Sequence, residues 1–438
     1  MKHDVPSLAK PAKHSFKANS HFITIAIELL VVLALALFTA QIARAQQFQT
    51  LYRFTGENDG GSPWAGVTIA NSGLLYGTTT FSEGPGGYGY GTVYALKNRG
   101  SGWTVDPLYY FPAQAYGEFP YAGVVIGPNG ALYGTTLYGG SDNGGTVFEL
   151  QPAPNFCRTV LCPWNETVAL SFDGDDGSNP VLGSVTFDQA GNLYGTASKG
   201  GNEIGGEGTV YQLTPSGSVK VLYTFCCIGY GTDGYDPQAG VIFDPQGNLY
   251  GTTVQGGAYN LGTVFELTPF GNGRWAERII HSFTGVDGAG PAATLIRDSS
   301  GNLYGTTYGD ETNNNGTVFM LSYSDGWVFT LLYTFNSCNP TAGVTLDAAG
   351  NLYGVCAYGG AFGNMGGFVF KLTNSNGTWS LTDLHDFNRG DNDGYDPLGT
   401  PAFDSNGNLF GTTSSGGNPR CLFGCGSVWE ITGLSDRR

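Results

Sequence analysis

The string Leu-Tyr-Gly, or a near copy, begins at Leu75, Leu132, Leu193, Leu249, Leu303, Leu352 and Leu409, at intervals of 49 to 61 residues. A period in this range rules out reading the length as a count of independent domains. It leaves a propeller, a solenoid or another tandem array.

Aligned on this string, the seven copies share four strand-like segments in fixed order. The first is Val241-Ile-Phe-Asp244 and its counterparts, followed by a turn of the form Asp-x-x-Gly-Asn. Glycine holds the fourth place of that turn in every copy, at Gly73, Gly130, Gly191, Gly247, Gly301, Gly350 and Gly407, which predicts a left-handed residue there. The turn's Asp is expected to accept backbone N–H groups of its own loop, a structural task rather than a catalytic one.

The second segment is Leu-Tyr-Gly-Thr-Thr, where small residues alternate with bulky ones. That pattern predicts a sheet packed on both faces, with an aromatic of one unit fitting into the next. The third runs from Gly262 to Leu267 and its counterparts. The fourth ends in Phe54, Phe111, Phe172, Phe225, Phe283, Phe335 or Phe387, with a Trp eight residues earlier in five copies (Trp103, Trp164, Trp275, Trp327 and Trp379). An even separation predicts that Trp and Phe share one face of the strand.

Four strands in each of seven units predict an all-β fold, a seven-bladed β-propeller with four-stranded blades. The repeat region opens on a lone fourth segment, Thr50 to Phe54, and closes after a third, Gly426 to Ile431. The N-terminal strand is therefore expected to complete the last blade and close the ring, which removes an exposed sheet edge.

Residues 1–45 differ from the rest. Lys2, Lys10, Lys13 and Lys17 precede an apolar run from Phe22 to Ala40, and Ala43-Arg44-Ala45 follows. That order reads as a secretory signal peptide cleaved after Ala45, leaving the propeller at 46–431 and a short tail at 432–438. Glu28 shortens the uncharged run below the length of a membrane span, and no second apolar segment follows, so no span is expected in the mature chain. Residues 46–438 hold 14 Lys and Arg against 33 Asp and Glu, a formal net charge of −19. Such a surface repels phosphate backbones, so nucleic acid is not an expected partner. All eight Cys lie beyond residue 45, an even count that favours disulfides in an exported, extracellular, periplasmic or surface-exposed protein. Cys157 with Cys162 and Cys421 with Cys425 read as local pairs. The partners of Cys226, Cys227, Cys338 and Cys356 stay open.

The phrase Gly-Asn-Leu-Tyr-Gly-Thr-Thr…Gly-Gly…Gly-Thr-Val-Phe-Glu-Leu, as at Gly247 to Leu267, resembles the Gloeobacter–Verrucomicrobia tandem repeat of exported bacterial proteins. The resemblance spans residues 49–431. It implies attachment of a repeat array to differing C-terminal surface anchors, a pattern from which this chain departs by stopping at Arg438 without a sorting helix. The resemblance brings no biochemical activity. The hairpins are also similar to those of lactonase-like propellers, at the level of fold alone.

Chemistry-bearing residues are sparse. His281 and His385, the two His beyond residue 45, both stand where other copies place Tyr, so they read as buried Tyr substitutes. Five connections after the fourth strand contain Asp-Gly-x-x-Pro, starting at Asp59, Asp176, Asp233, Asp287 and Asp393. In a propeller they share one end with the loops after the second strand, which begin with Phe81, Tyr138, Tyr308 and Tyr358. Carboxylates beside exposed aromatics suit carbohydrate, whose C–H faces stack on rings while hydroxyls donate to oxygens. The simpler reading is a turn that Asp-Gly makes and Pro fixes.

Two loops are denser in acid, Asp391, Asp393 and Asp396 in one and Asp173, Asp175 and Asp176 in the other. Oxygen ligands at this spacing can hold Ca²⁺, though neither loop ends in the Glu of a full calcium loop and no other cofactor is indicated. The leading expectation is a monomeric, non-catalytic binding module for a glycan, peptide or protein. The alternative is a metal-dependent hydrolase or lyase of a lactone or polysaccharide, with carboxylates in the central channel and Arg297 as an oddity among the first strands.

Overall fold

The computed structural model describes residues 46–82, 89–112, 114–152, 164–201, 206–226, 233–309, 315–362, 366–389, 393–418, 421 and 425–434. Residues 1–45, read above as a signal peptide, and Cys157, Cys162, Cys227, Asp391 and the last four residues lie outside that set. The described chain forms seven four-stranded antiparallel sheets, the blades of a β-propeller. Blade 1 is typical: Thr68–Ile69, Leu75–Thr79, Thr92–Asn98 and Trp103–Tyr110, in that order from inside to outside. Blade 7 takes Ala402–Phe403, Leu409–Thr413 and Ser427–Thr432 from the C-terminal end and Gln47–Arg53 from the N-terminal end. The ring is thus closed by the first strand, Gln47 opposite Thr432 and Arg53 opposite Ser427.

Each seam between neighbouring blades holds its own apolar cluster, and there are seven seams and seven clusters. The Phe that ends strand four is fully buried in one of them, as at Phe111, Phe172 and Phe283. Burying such a ring is worth about 1.5–3 kcal/mol. Five seams repeat one hydrogen bond as well. The first Thr of Leu-Tyr-Gly-Thr-Thr donates to the next blade's innermost carbonyl, from Thr78 to Ala122 (2.9 Å), Thr196 to Ala239 (2.7 Å), Thr252 to Ala293 (3.5 Å), Thr306 to Ala342 (2.8 Å) and Thr412 to Ala65 (2.8 Å). A net contribution near 1 kcal/mol makes this bond secondary to the rings, but it fixes their register. Thr412 to Ala65 spans the closure itself.

Two expectations about side-chain placement are corrected. Trp and Phe of strand four lie on opposite faces, not on one: Trp103 packs in the seam between blades 7 and 1, Phe111 in that between blades 1 and 2. The cause is a β-bulge in every fourth strand. Leu108 is skipped between Tyr109, paired with Val93, and Pro107, paired with Tyr94. Leu51, Ala169, Leu222, Ile280, Leu332 and Leu384 are skipped likewise. One extra residue inverts the parity that an even spacing implies. Likewise, the strand-two Gly makes room for an aromatic of its own blade. A Cβ on Gly251 meets the Phe265 ring, its direct cross-strand neighbour, and Gly77 meets Tyr94 in the same way.

Among the described residues, no helix is long and apolar enough to cross a membrane. Disulfides join Cys421 to Cys425, the local pair expected, and Cys338 to Cys356, whose partners the sequence left open.

Candidate functional site

At one end of the ring, the loop after each fourth strand is stitched to the loop after strand two of the following blade. Gly61 and Phe81 exchange backbone hydrogen bonds at 2.9 and 3.3 Å, and Glu118 and Tyr138 at 2.8 and 3.1 Å. Ser178 pairs with Lys199 and Tyr395 with Ser415. The acidic and aromatic loops therefore share a surface.

Within it, the five Asp residues turn toward their own loops. Asp59 accepts from the Tyr52 hydroxyl and the Thr55 N–H, both at 2.8 Å, and from the Thr55 hydroxyl. Asp233 accepts from Tyr223 at 3.1 Å and from the Cys226 N–H at 3.2 Å. His281 and His385 occupy the position of those Tyr residues and perform the same task, 3.0 Å from Asp287 and 2.9 Å from Asp393. A carboxylate only accepts, so Nε2 of each imidazole carries the proton. His281 is stacked on Phe329 at 4.0 Å and His385 on Phe48 at 3.5 Å. Burial holds the His281 pKa below its ordinary value even with Asp287 opposing it. Asp176 instead accepts the Asp173 N–H at 3.1 Å, and burial pushes its carboxyl up to about 6. In the loop from Cys338, which has no Asp-Gly, the disulfide to Cys356 performs the tethering.

Of the acidic triplets considered for Ca²⁺, Asp173, Asp176 and Asp393 are engaged in the same way. Asp173 accepts the N–H groups of Asp175 (2.9 Å) and Asp176 (3.2 Å). Asp396 sits in the left-handed region before Pro397, and burial raises its carboxyl to about 6. Among the described residues no three His, Cys, Asp or Glu converge as metal donors. The turn Asp residues at the opposite end are equally committed. Asp244 accepts from the Gln246 and Asn248 N–H groups, the Asn248 amide and the Tyr250 hydroxyl, at 2.8 to 3.1 Å.

The aromatics, by contrast, face outward. Among the described residues, seven of twelve exposed large apolar side chains lie on the stitched end: Phe81, Tyr116, Tyr138, Tyr259, Val286, Tyr358 and Phe362. Phe81, Tyr138 and Tyr358 are 37%, 39% and 46% exposed. Tyr308 is half-buried, its ring lying where a Cβ on Gly290 would stand.

On the axis is a cavity of about 300 Å³ lined from six blades. One position of the repeat contributes to the wall from each of these blades, the residue three before the Val or equivalent that starts strand one. It reads Trp64, Tyr121, Leu182, Gln238, Ala292, Thr341 and Leu398 around the ring, and all but Gln238 line the cavity. The next position is always Ala or Gly, because inner backbones crowd there; a Cβ on Gly399 would strike the backbone of Gly66. Trp64 and Tyr121 stand edge to face at 4.8 Å. The Trp64 indole N–H donates to Ser62 Oγ at 3.1 Å. No charged side chain lines this cavity, so carboxylates holding an ion in the central channel have no counterpart there. Arg297 lies at the far end of its strand, its guanidinium over the turn at Gly301. Sequence reasoning passed over Trp64 and Tyr121. The available signal was divergence: this position runs from Ala to Trp, while its neighbours scarcely vary.

The Gloeobacter/Verrucomicrobia repeat matches residues 36–167, 161–363 and 278–435. No curated protein matches the chain in sequence. Among solved structures, a gluconolactonase candidate is similar at 12% identity and a TM-score of 0.42, covering 89% of this chain and 92% of its own. A candidate 6-phosphogluconolactonase from Bacteroides uniformis is similar at 15% identity and a TM-score of 0.44, covering 73% of this chain and 84% of its own. An ancestral GH74 enzyme is similar at 14% identity and a TM-score of 0.48, covering 84% of this chain and 50% of its own. Likeness this distant says nothing of activity. With its repeats matched along nearly the whole ring, the chain belongs to the Gloeobacter/Verrucomicrobia repeat family.

Proposed function

We propose that the protein is an exported, extracellular or surface-exposed binding module that presents the aromatic-bearing end of its propeller to carbohydrate. One observation carries the reading. Exposed aromatic side chains gather on the stitched end, while the carboxylates beside them are occupied in holding the loops that carry those aromatics. Rings held on rigid loops suit the apolar faces of sugars, and the sparse charge at the axis suits an uncharged ligand. The disulfides Cys338–Cys356 and Cys421–Cys425 fit an oxidising compartment outside the cytosol.

Residues 46–438, applied to an array of bacterial and plant glycans, are expected to mark a restricted set of neutral glycans. Tyr138→Ala combined with Tyr358→Ala weakens that signal about tenfold, since a stacked ring contributes roughly 1–1.5 kcal/mol. An array that stays blank, or one whose signal ignores both substitutions, removes this reading.

A further inference from the structure

We infer that the axial cavity is a subsite for a single neutral sugar ring, and that it takes the end of a glycan chain. This inference rests on the carbohydrate reading above and assigns it a second, more selective location.

The first argument is asymmetry. A ring of repeats needs the same residue at equivalent positions wherever packing sets the choice. The strand-two Gly and the Ala or Gly beside the axis obey that rule. The cavity-lining position does not. It places two large aromatics together, Trp64 and Tyr121 from blades 1 and 2, and across the axis only Ala292 and Thr341 from blades 5 and 6. The result is an aromatic wall facing a wall of small residues. Neither Trp64 nor Tyr121 belongs to a seam core, so packing between blades does not explain them.

The chemistry of the small wall is the second argument. Thr294 and Thr400 each accept a backbone N–H from the preceding blade, that of Gly240 at 3.1 Å and that of Gly343 at 2.9 Å. A hydroxyl that accepts still has its own proton to donate. Those two hydroxyls offer a sugar oxygen a donor that a purely apolar ligand would leave unused. Anions are disfavoured twice, since no cation lines the cavity and residues 46–438 carry a net charge of −19. Aromatic face, hydroxyl wall and absence of charge together specify a neutral sugar.

Size gives the mode. About 300 Å³ lies at the lower end of ligand cavities, enough for about one ring. Six of the seven blades contribute to the lining, so a chain enters along the axis with its end leading. The mouth opens among the aromatic loops. Tyr121 and Tyr138 are near enough to raise the Tyr121 pKa beyond what burial alone does, and Tyr138 meets Phe119 at 6.3 Å. Phe119 is itself unusual. It precedes Pro120 with φ of 58°, a left-handed position that other blades fill with Ser62, Asn179, Asp236, Gly290 or Asp396. A bulky residue there costs about 1–2 kcal/mol of backbone strain, which its edge-to-face contact with Tyr90 at 5.5 Å offsets. Trp64, Tyr121, Tyr138 and Phe119 thus form one aromatic track from the axis outward, along which the rest of a glycan can lie.

The test uses residues 46–438 and titration calorimetry with free glucose, galactose, mannose, xylose, N-acetylglucosamine and glucuronate. At least one neutral sugar is expected to bind, with glucuronate at least tenfold weaker. Trp64→Ala and Ala292→Leu, the first removing the wall and the second filling the cavity, each weaken that sugar at least tenfold. Tyr323→Ala, at an exposed ring on the opposite end, leaves it within about twofold. A linear oligosaccharide that binds is expected to outcompete its cyclic counterpart, which has no end. Phe119→Gly, which trades the lost ring contacts against relief of the left-handed backbone, is expected to weaken the oligosaccharide while leaving the monosaccharide within about twofold. Equal binding by wild type, Trp64→Ala and Ala292→Leu overturns the axial site. If those two are silent while a glycan-array signal still falls with Tyr138→Ala and Tyr358→Ala, the peripheral face stands and the axial subsite alone is lost. A blank array together with silent monosaccharides removes both.

Discussion

Glu166 and Glu277 hold the same place in the repeat, two residues past the Trp of strand four, where other blades present Val105, Phe329, Leu381 or Phe48. Glu166 faces Tyr109 of the preceding blade's strand four, and Glu277 lies near Asp233. Tyr109 donates to Glu166 at 3.3 Å, and each Glu keeps one buried oxygen with no hydrogen-bond partner among the described residues. Burial pushes both carboxyls up to about 7, with Asp233 adding to the shift at Glu277. The sign follows from linkage. An acid whose folded pKa exceeds its unfolded value costs nothing below about 4.5, and destabilises progressively as pH rises toward 7. Glu166→Gln combined with Glu277→Gln is therefore expected to melt higher than wild type at pH 7 and equally at pH 4.5, by calorimetry across that range. His281, held neutral by burial, acts in the opposite sense as pH falls below 6.5, but it cancels in the comparison of variants. A steeper pH dependence in the variant contradicts the assignment. These Glu residues drew no notice in the sequence because their meaning lies across a seam. The five loop Asp residues were found readily, Asp-Gly being a strong local signal, but for four of them the Tyr or His partner sits six to ten residues upstream on strand four and becomes visible only in the fold.

At the scale of the strand, the sequence was most legible where periodicity is local. Four segments per copy, the glycine turns and the Leu-Tyr-Gly-Thr-Thr strand all follow from alternation and turn chemistry. The bulge was not legible, because Leu, Ala and Ile all serve as the skipped residue and no glycine marks it. Glycine in the turn before strand two and glycine within that strand have separable causes, and substitution can distinguish them. At Gly251 a Cβ meets the Phe265 ring, whereas at Gly247 nothing stands within 4 Å and only φ of +88° argues for glycine. Gly251→Ala is expected to cost about 1–3 kcal/mol by overpacking, and most of that cost vanishes in a Phe265→Leu background. Gly247→Ala costs about 1–2 kcal/mol for the left-handed backbone, with no dependence on residue 265. Denaturant unfolding of the four combinations measures the coupling directly. Equal coupling at both glycines refutes the same-blade explanation.

The whole molecule depends on a join between residues nearly 400 positions apart. Gln47–Arg53 supplies the outer strand of blade 7, Phe48 stacks on His385 from blade 6, and Thr412 reaches Ala65 across the closure. Circularity was readable from phase alone, as an orphan fourth strand at one end matched a missing one at the other. The axial cavity was not readable, since it exists only when six inner loops face one another. Both properties should fail together. Removing Gln46 through Gly56 unpairs Ser427–Thr432, leaves an exposed sheet edge and deprives the seam of Leu51 and Phe54. Two large side chains and a strand's worth of pairing far exceed the roughly 1 kcal/mol of the Thr412 bond, so truncation is expected to lower the melting temperature by well over ten degrees, whereas Thr412→Val lowers it by only a few. The truncated chain is also expected to associate with rising concentration in sedimentation and to lose monosaccharide binding, though every cavity-lining residue is still present. Supplying the missing strand as a synthetic peptide should restore both. Such rescue requires that the ring be held by edge pairing rather than by the seven seams already within the remaining chain, and that distinction decides whether closure is a cause of the fold or only its last step.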